Sequence, residues 1–216
     1  MSSSTYNEVK TQYSTLSSIS LRKVVDGNAS DEVVRADTLW QQSPTLIMVV
    51  RRPGCQLCRE EAVQLKNHRD VIENNLKVRM VAVVHEVAGA QTFNDGWWKG
   101  DLYFDEDKAF YKALGGGNLQ WRSPVRLIMP TGIKTLAKSF LHGEKGNLKG
   151  EGRIMGGLYI LHNGDHGVAY EYLEKTFGDH APIEEVLGAC KLVSDKVKGV
   201  DSSKIVIPEP QPGPKL

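Results

Sequence analysis

The chain has 216 residues, 40% of them hydrophobic and 25% charged, enough for a single domain with a full core. Its 27 basic and 26 acidic side chains leave a formal charge of +1, which excludes the electrostatic footprint of a nucleic-acid binder or a polybasic membrane protein and leaves small molecules or proteins as substrates. No run approaches the roughly 18 apolar residues that insert across a bilayer, the first seven residues lack a secretory profile, and three cysteines are too few for a disulfide-stapled scaffold, so the expected setting is cytoplasmic.

In chain order, residues 1–17 are polar and Ser/Thr-rich and are expected to be a flexible lead-in to a domain over 18–198. Ile19 to Val25 alternates as a strand, and Arg35 to Gln42 reads as a short helix stopped by Ser43-Pro44. Leu46-Ile47-Met48-Val49-Val50 is a continuous apolar, β-branched run, the mark of a strand buried on both faces. From Cys55 to about Asn75 the pattern turns helical, with Ala62, Leu65, Ile72 and Leu76 on one stripe and Glu60, Glu61, Lys66 and Arg69 elsewhere. Val78 to Val84 repeats the buried-strand signature, completing a βαβ unit with parallel strands.

Asp101 to Asp105 is a short strand, Lys108 to Leu114 a helix, and Gly115-Gly116-Gly117 its stop. Residues 118–153, rich in Gly and Lys, read as an insertion. Leu158–Leu161 and Val168–Tyr172 flank Asn163-Gly164, a hairpin signal, and Ile183 to Val197 is a closing amphipathic helix before a Pro-rich flexible tail over 199–216. The order is that of an α/β, thioredoxin-like fold: a central mixed sheet flanked by helices, with the insertion ahead of the C-terminal hairpin.

The chemistry concentrates in Cys55-Gln56-Leu57-Cys58, placed where a buried strand passes into a helix. Residues i and i+3 of a first turn share a face, which brings two sulfurs into disulfide range. The helix N-terminus carries free N–H groups and about half a positive charge, so it favours the thiolate of Cys55. Arg51, Arg52 and Arg59 add positive charge against Glu60 and Glu61, and a lowered Cys55 pKa is expected. Pro53 and Gly54 shape the approach and support a rigid, exposed nucleophile. A zinc site would need two further ligands, and Cys190 stands alone on the last helix, so no metal is expected there.

His85 and Glu86 close a strand parallel to Leu46–Val50 and therefore belong to the sheet edge that carries the cysteines, where a proton-handling role competes with a solvated strand end. Trp97 and Trp98 form either an aromatic wall of a substrate site or a cover over the sheet. Neither Gly115-Gly116-Gly117 nor Gly150-Glu151-Gly152 has the spacing of a dinucleotide loop, so no bound cofactor is expected and any NADPH electrons must arrive through another protein such as thioredoxin, or through glutathione.

Arg51-Arg52-Pro53-Gly54-Cys55-Gln56-Leu57-Cys58-Arg59-Glu60-Glu61-Ala62, Trp98-Lys99-Gly100-Asp101, Gly146–Gly152, Gly156-Gly157 and Glu174–Asp179 together resemble the peroxiredoxin-like family of the alkyl hydroperoxide reductase and thiol-specific antioxidant superfamily, which includes prostamide/prostaglandin F synthase. The resemblance implies a thioredoxin-like fold, Cys55 and Cys58 as the redox pair, and antioxidant or prostaglandin-endoperoxide-reducing activity. Two features depart from better-known relatives. Met48 and Arg52 stand where peroxiredoxins carry the Pro and Thr/Ser of their Pro-x-x-x-Thr/Ser-x-x-Cys motif, and Met155-Gly156-Gly157 stands where thioredoxins place a proline before the hairpin, which makes Gly156 and Gly157 candidates for substrate contact. The leading expectation is a thiol-dependent oxidoreductase acting on a peroxide, endoperoxide or protein disulfide and reset by a thiol reductant system. The competing ones are a redox-sensing module without turnover and a scaffold with vestigial thiols.

Overall fold

The protein is described here by a computed structural model covering residues 9–123 and 150–195. Most of the expected insertion and all of the Pro-rich tail lie outside these residues.

The core begins with the apolar run. Strand β3 (Thr45–Val50) has every residue buried, because it is hydrogen-bonded on both sides and covered on both faces. It pairs in parallel with β4 (Arg79–Val84) and antiparallel with β6 (Gly157–Leu161). The crossover between β3 and β4 is α2 (Gln56–Asn67) followed by a π-helical turn, Asp70–Asn75. The expected single helix to Asn75 is thus broken at His68-Arg69. With β1 (Ser20–Val25), β2 (Asn28–Arg35), β5 (Asp101–Phe104) and β7 (Val168–Leu173), the sheet has seven strands in the order β2-β1-β5-β4-β3-β6-β7. This is the mixed α/β sheet expected from the pattern.

Alternation along the central strands sorts two cores. Leu46, Met48, Val50, Met80, Ala82, Val84, Leu158 and Ile160 face α2 and the C-terminal helix. Ile47, Val49, Val81, Val83, Tyr159 and Leu161 face the other layer, with Leu16, Trp40, Phe110 and Tyr111. Each such aliphatic side chain contributes about 1.5–3 kcal/mol on burial, so a one-residue slip of β3 would exchange the two cores and is strongly disfavoured.

Three points need correction. Residues 10–17 are packed rather than flexible: α1 (Tyr13–Ser17) buries Leu16 completely, and the backbone of Lys10 and Thr11 donates to the Glu171 carboxylate at 2.8 and 2.9 Å. Only one apolar residue per helical turn anchors this segment, too weak a signal to stand out among serines. Strand β2 was also missing from the sequence reading, because its face is mostly exposed and its sequence charged. Its cue is Asp26-Gly27, both with positive φ (49° and 78°), in a two-residue turn that pairs Val25 with Asn28. The Arg35–Gln42 segment is helical only as a 3-10 turn, Ala36–Leu39.

After β5 come α4 (Ala109–Leu114) and, beyond the hairpin, α5 (Ile183–Ser194), with α3 (Ala90–Phe93) and a π turn, Asn94–Trp98, preceding β5. The β6 to β7 connection carries Asn163-Gly164 as expected, in a loop closed by His162 N to Gly167 O at 3.1 Å. Gly156, entering β6, packs against the end of β3 so closely that an added Cβ would lie 2.2 Å from the Val49 carbonyl oxygen and 2.9 Å from Arg51 N. Gly156→Ala is therefore expected to cost at least the ~1–3 kcal/mol typical of overpacking, read as a lower urea midpoint; an unchanged midpoint would refute the close packing.

Candidate functional site

The carboxyl ends of β3 and β4 converge on the loop that carries the cysteines. Arg52-Pro53-Gly54-Cys55 is a tight turn closed by Cys55 N to Arg52 O at 3.0 Å, with Pro53 supplying the fixed dihedral that such a turn needs. Gly54 is absent from the residues with positive φ, so this turn does not draw on glycine's left-handed freedom. Cys55 is the N-cap of α2 and its sulfur accepts from the backbone N–H of Cys58 at 3.4 Å. A thiolate here does what a capping carboxylate does elsewhere, satisfying a helix N–H while its charge meets the helix dipole.

Arg51 is the cation at this sulfur. Its Nη2 donates to Cys55 Sγ, its Nη1 donates to the Gly152 carbonyl at 2.6 Å, and its guanidinium lies over the Phe177 ring at 4.4 Å. The Arg51 carbonyl in turn meets His85 Nε2 at 2.9 Å, while Tyr111 Oη sits 2.8 Å from Val50 O and 3.1 Å from Val83 O, tying the two strand ends together. Hydrogen bonding from the Cys58 thiol, with the Arg51 guanidinium and the Cys58 N–H adding to it, brings the Cys55 thiol down to about 5 even though burial opposes this. Burial pushes the Cys58 thiol well above its ordinary value, and the anionic Cys55 adds to that. The pair is thus split into a thiolate and a thiol, both reduced.

The expectation of an exposed nucleophile is corrected: Cys55 is 4% and Cys58 1% accessible. Residues 150–152 are pinned over the site. Arg51 holds Gly152, the Glu86 carboxylate accepts from Glu151 N at 3.0 Å, and Gly150 approaches that carboxylate so closely that a Cβ would collide with it. His85 is buried and its pKa is lowered, chiefly by desolvation, so His85 and Glu86 are fixed parts of this cover and not a solvated strand end.

The remaining expected residues divide. Arg52 is buried, its guanidinium packed within 3.4 Å of the place a Gly152 Cβ would take, and its charge helps to lower the Cys55 pKa. Arg59 donates to Pro53 O at 3.0 Å and stacks on Trp97 at 3.8 Å, clamping the loop to the helix that follows it. Trp98 is not a substrate wall: it is fully buried, with Nε1 donating to Asp101 O at 2.9 Å. Gly156 and Gly157 are closed against the backbone of Val49 and Tyr172 on the side where a Cβ would project.

The sequence reading missed Glu61, Glu174, Phe177 and His180 as parts of the site. Glu61 was placed off the apolar stripe, yet it is 4% exposed, one helical turn beyond Cys58. Glu174, 2% exposed, follows β7, with its Oε2 4.0 Å from Arg51 Nε and burial raising its pKa to about 8. Burial likewise raises Glu61, with Glu174 adding to it, and lowers His180 to about 4. Cys190 is fully buried on α5 and its thiol is raised by desolvation.

Comparison with known proteins identifies the family. Residues 64–176 match the family described as AhpC/TSA antioxidant enzyme. Peroxiredoxin-like 2A of Danio rerio is 36% identical over 178 residues, 79% of this chain and 78% of the relative. Prostamide/prostaglandin F synthase of Bos taurus is 37% identical over 161 residues, 73% and 79% respectively. Among solved structures, the peroxidoxin BcpB of Mycobacterium tuberculosis aligns with a TM-score of 0.53 over 86% of this chain and 98% of its own, at 11% identity. A thioredoxin-like protein of Porphyromonas gingivalis aligns with a TM-score of 0.52 over 86% and 95%, at 16% identity. At such identities these two likenesses speak for the thioredoxin-like fold alone. Among the described residues no helix is long and apolar enough to cross a membrane.

Proposed function

Since the chain belongs to the peroxiredoxin-like branch of the AhpC/TSA antioxidant family, an oxidoreductase family, we propose that it reduces small peroxides through the Cys55–Cys58 pair. The single observation that carries this reading is the Cys55 sulfur, capped by the N–H of Cys58 and held by the Arg51 guanidinium.

In the first step the Cys55 thiolate attacks one oxygen of the O–O bond. The bond breaks, that oxygen stays on sulfur as a sulfenate, and the other leaves as an alcohol after taking up a proton. In the second step the Cys58 sulfur displaces the oxygen as water, closing a disulfide in which both sulfurs have given up one electron. With a cyclic endoperoxide the attacked oxygen stays bonded to carbon as well as to the Cys55 sulfur while the other takes up a proton, and Cys58 then breaks the S–O bond, forming the disulfide and releasing a diol once the second oxygen is protonated. A thiol donor kept reduced by NADPH, one thioredoxin dithiol or two molecules of glutathione, returns the two electrons. A cytoplasmic, reducing setting fits three free thiols.

The burial of the pair admits a small oxidant more readily than a protein, and either thioredoxin or a protein disulfide reaches the sulfur only once the site opens. The name of the bovine relative adds prostaglandin substrates to those worth testing. The experiment is a panel of hydrogen peroxide, an organic hydroperoxide, a prostaglandin endoperoxide and a protein disulfide, each with NADPH and a thioredoxin or glutathione system. Steady turnover of a peroxide or endoperoxide is the expected result. The same burial favours a second reading, a redox sensor whose disulfide state alters partner binding. A sensor would consume one equivalent of oxidant and then stall in this assay, and that outcome would replace the enzymatic reading.

A further inference from the structure

Behind the cysteine pair, three segments distant in sequence meet: α2 supplies Glu61, the end of β7 supplies Glu174, and the loop leading to α5 supplies His180. One ligand atom from each lies within 4.8 Å of the others. The two carboxylates are almost completely buried, and Glu174 Oε2 and His180 Nε2 are sealed from solvent without a hydrogen-bond partner among the described residues. Buried polar atoms are satisfied in nearly all folded proteins, so two unsatisfied atoms in one cluster point to a missing partner.

The nearest cation does not fill that role. Arg51 Nε is 4.0 Å from Glu174 Oε2, and the other two nitrogens of its guanidinium are committed to Gly152 and to Cys55. Burial holds the Glu61 and Glu174 carboxyls toward their neutral forms, and a divalent cation entering between them takes the place of those protons.

We propose that Glu61, Glu174 and His180 form a binding site for one divalent cation of the Zn2+ or Mn2+ type. Carboxylate oxygens and an imidazole nitrogen suit both ions, and three protein ligands leave a coordination position open for water. Ligand atoms about 2.1 Å from one ion lie within about 4.2 Å of one another, so a cluster within 4.8 Å has only to contract by roughly an ångström to hold it. The site is distinct from a zinc site built on Cys55 and Cys58, and it stands whether or not the pair turns over a peroxide.

The test uses the full chain, stripped of metal, with Cys55, Cys58 and Cys190 all changed to Ser so that thiols cannot bind the probe. Equilibrium dialysis against Zn2+ or Mn2+ should load one cation per chain. Glu174→Gln and His180→Ala should each weaken loading at least by the ~10–100-fold that loss of even an outer-shell partner costs. Circular dichroism of the metal-free variants checks their folding, and Glu61→Gln gives an independent reading, since an amide keeps the shape of a protonated carboxyl. Should the thiol-free chain not fold, Mn2+ bound to the wild type is read by electron paramagnetic resonance, because thiolates hold Mn2+ poorly. No loading at about millimolar cation, loading indifferent to Glu174→Gln and His180→Ala, or loading that requires the cysteines would each overturn the site. A chain that loads the cation but fails the peroxide panel would sink the proposed activity and leave this site standing.

Discussion

Cys55→Ser is expected to bring peroxide turnover down to background, a loss of at least about 10³-fold, because a serine hydroxyl at the same N-cap has neither the ionisation nor the two-electron chemistry of sulfur. Cys58→Ser should behave differently. Its Cys55 still reacts once, but the sulfenate has no partner, so the variant gives a single turnover and a product that a sulfenate-trapping dione labels by mass. Cys190→Ser should leave the rate unchanged, since that thiol is fully buried on α5 and its pKa is raised by desolvation. The three variants together separate a two-cysteine cycle from a structural role for the pair. If Cys55→Ser kept full turnover, or Cys58→Ser cycled normally with the same donor, the mechanism would be wrong.

Arg51→Met is expected to alter the pH profile of the same thiol. With the Cys55 thiol lowered to about 5, the wild type holds a thiolate at neutral pH, and alkylation slows only as the pH falls through that value. Removing the guanidinium leaves the hydrogen bonds from Cys58 but takes away the attraction to Arg51, so the inflection moves upward. Below the new inflection each tenfold loss of thiolate is offset by only about a threefold gain in intrinsic nucleophilicity, for a Brønsted slope of about 0.4–0.5. The variant should therefore alkylate more slowly than the wild type near pH 6 and faster above its own inflection, so that the two curves cross. Superimposed curves would show that Arg51 does not set the ionisation of Cys55. Met keeps much of the packing against Phe177, which limits the contribution of collapse to the result.

The cover over the thiols reconciles a reactive sulfur with its burial. Arg51 both activates Cys55 and holds Gly152, so one side chain links ionisation to access. Glu86 holds the neighbouring Glu151 N–H at 3.0 Å, on the strand end next to the one that leads into the cysteine loop. Both contacts are single hydrogen bonds, each worth on the order of 1–3 kcal/mol, which is small enough for the segment to lift thermally.

Much of this protein is determined by local pattern. The all-apolar run at Leu46–Val50, its repeat before His85, and the Cys-x-x-Cys at the strand-to-helix junction impose a parallel pair with two sulfurs at a helix N-terminus, because periodicity and capping act within a few residues. The helical tilt toward a thiolate is local as well, and the lowered pKa of Cys55 agrees with it. Tertiary structure decided what surrounds those sulfurs. Glu174 reaches Arg51 across more than a hundred residues, Glu61 proved buried and not solvated, Trp98 proved fully buried, and Gly156 and Gly157 proved tightly packed against neighbouring backbone. Burial of a charge or closure of a backbone gap depends on what the rest of the chain brings against it, and no spacing along a single segment carries that information.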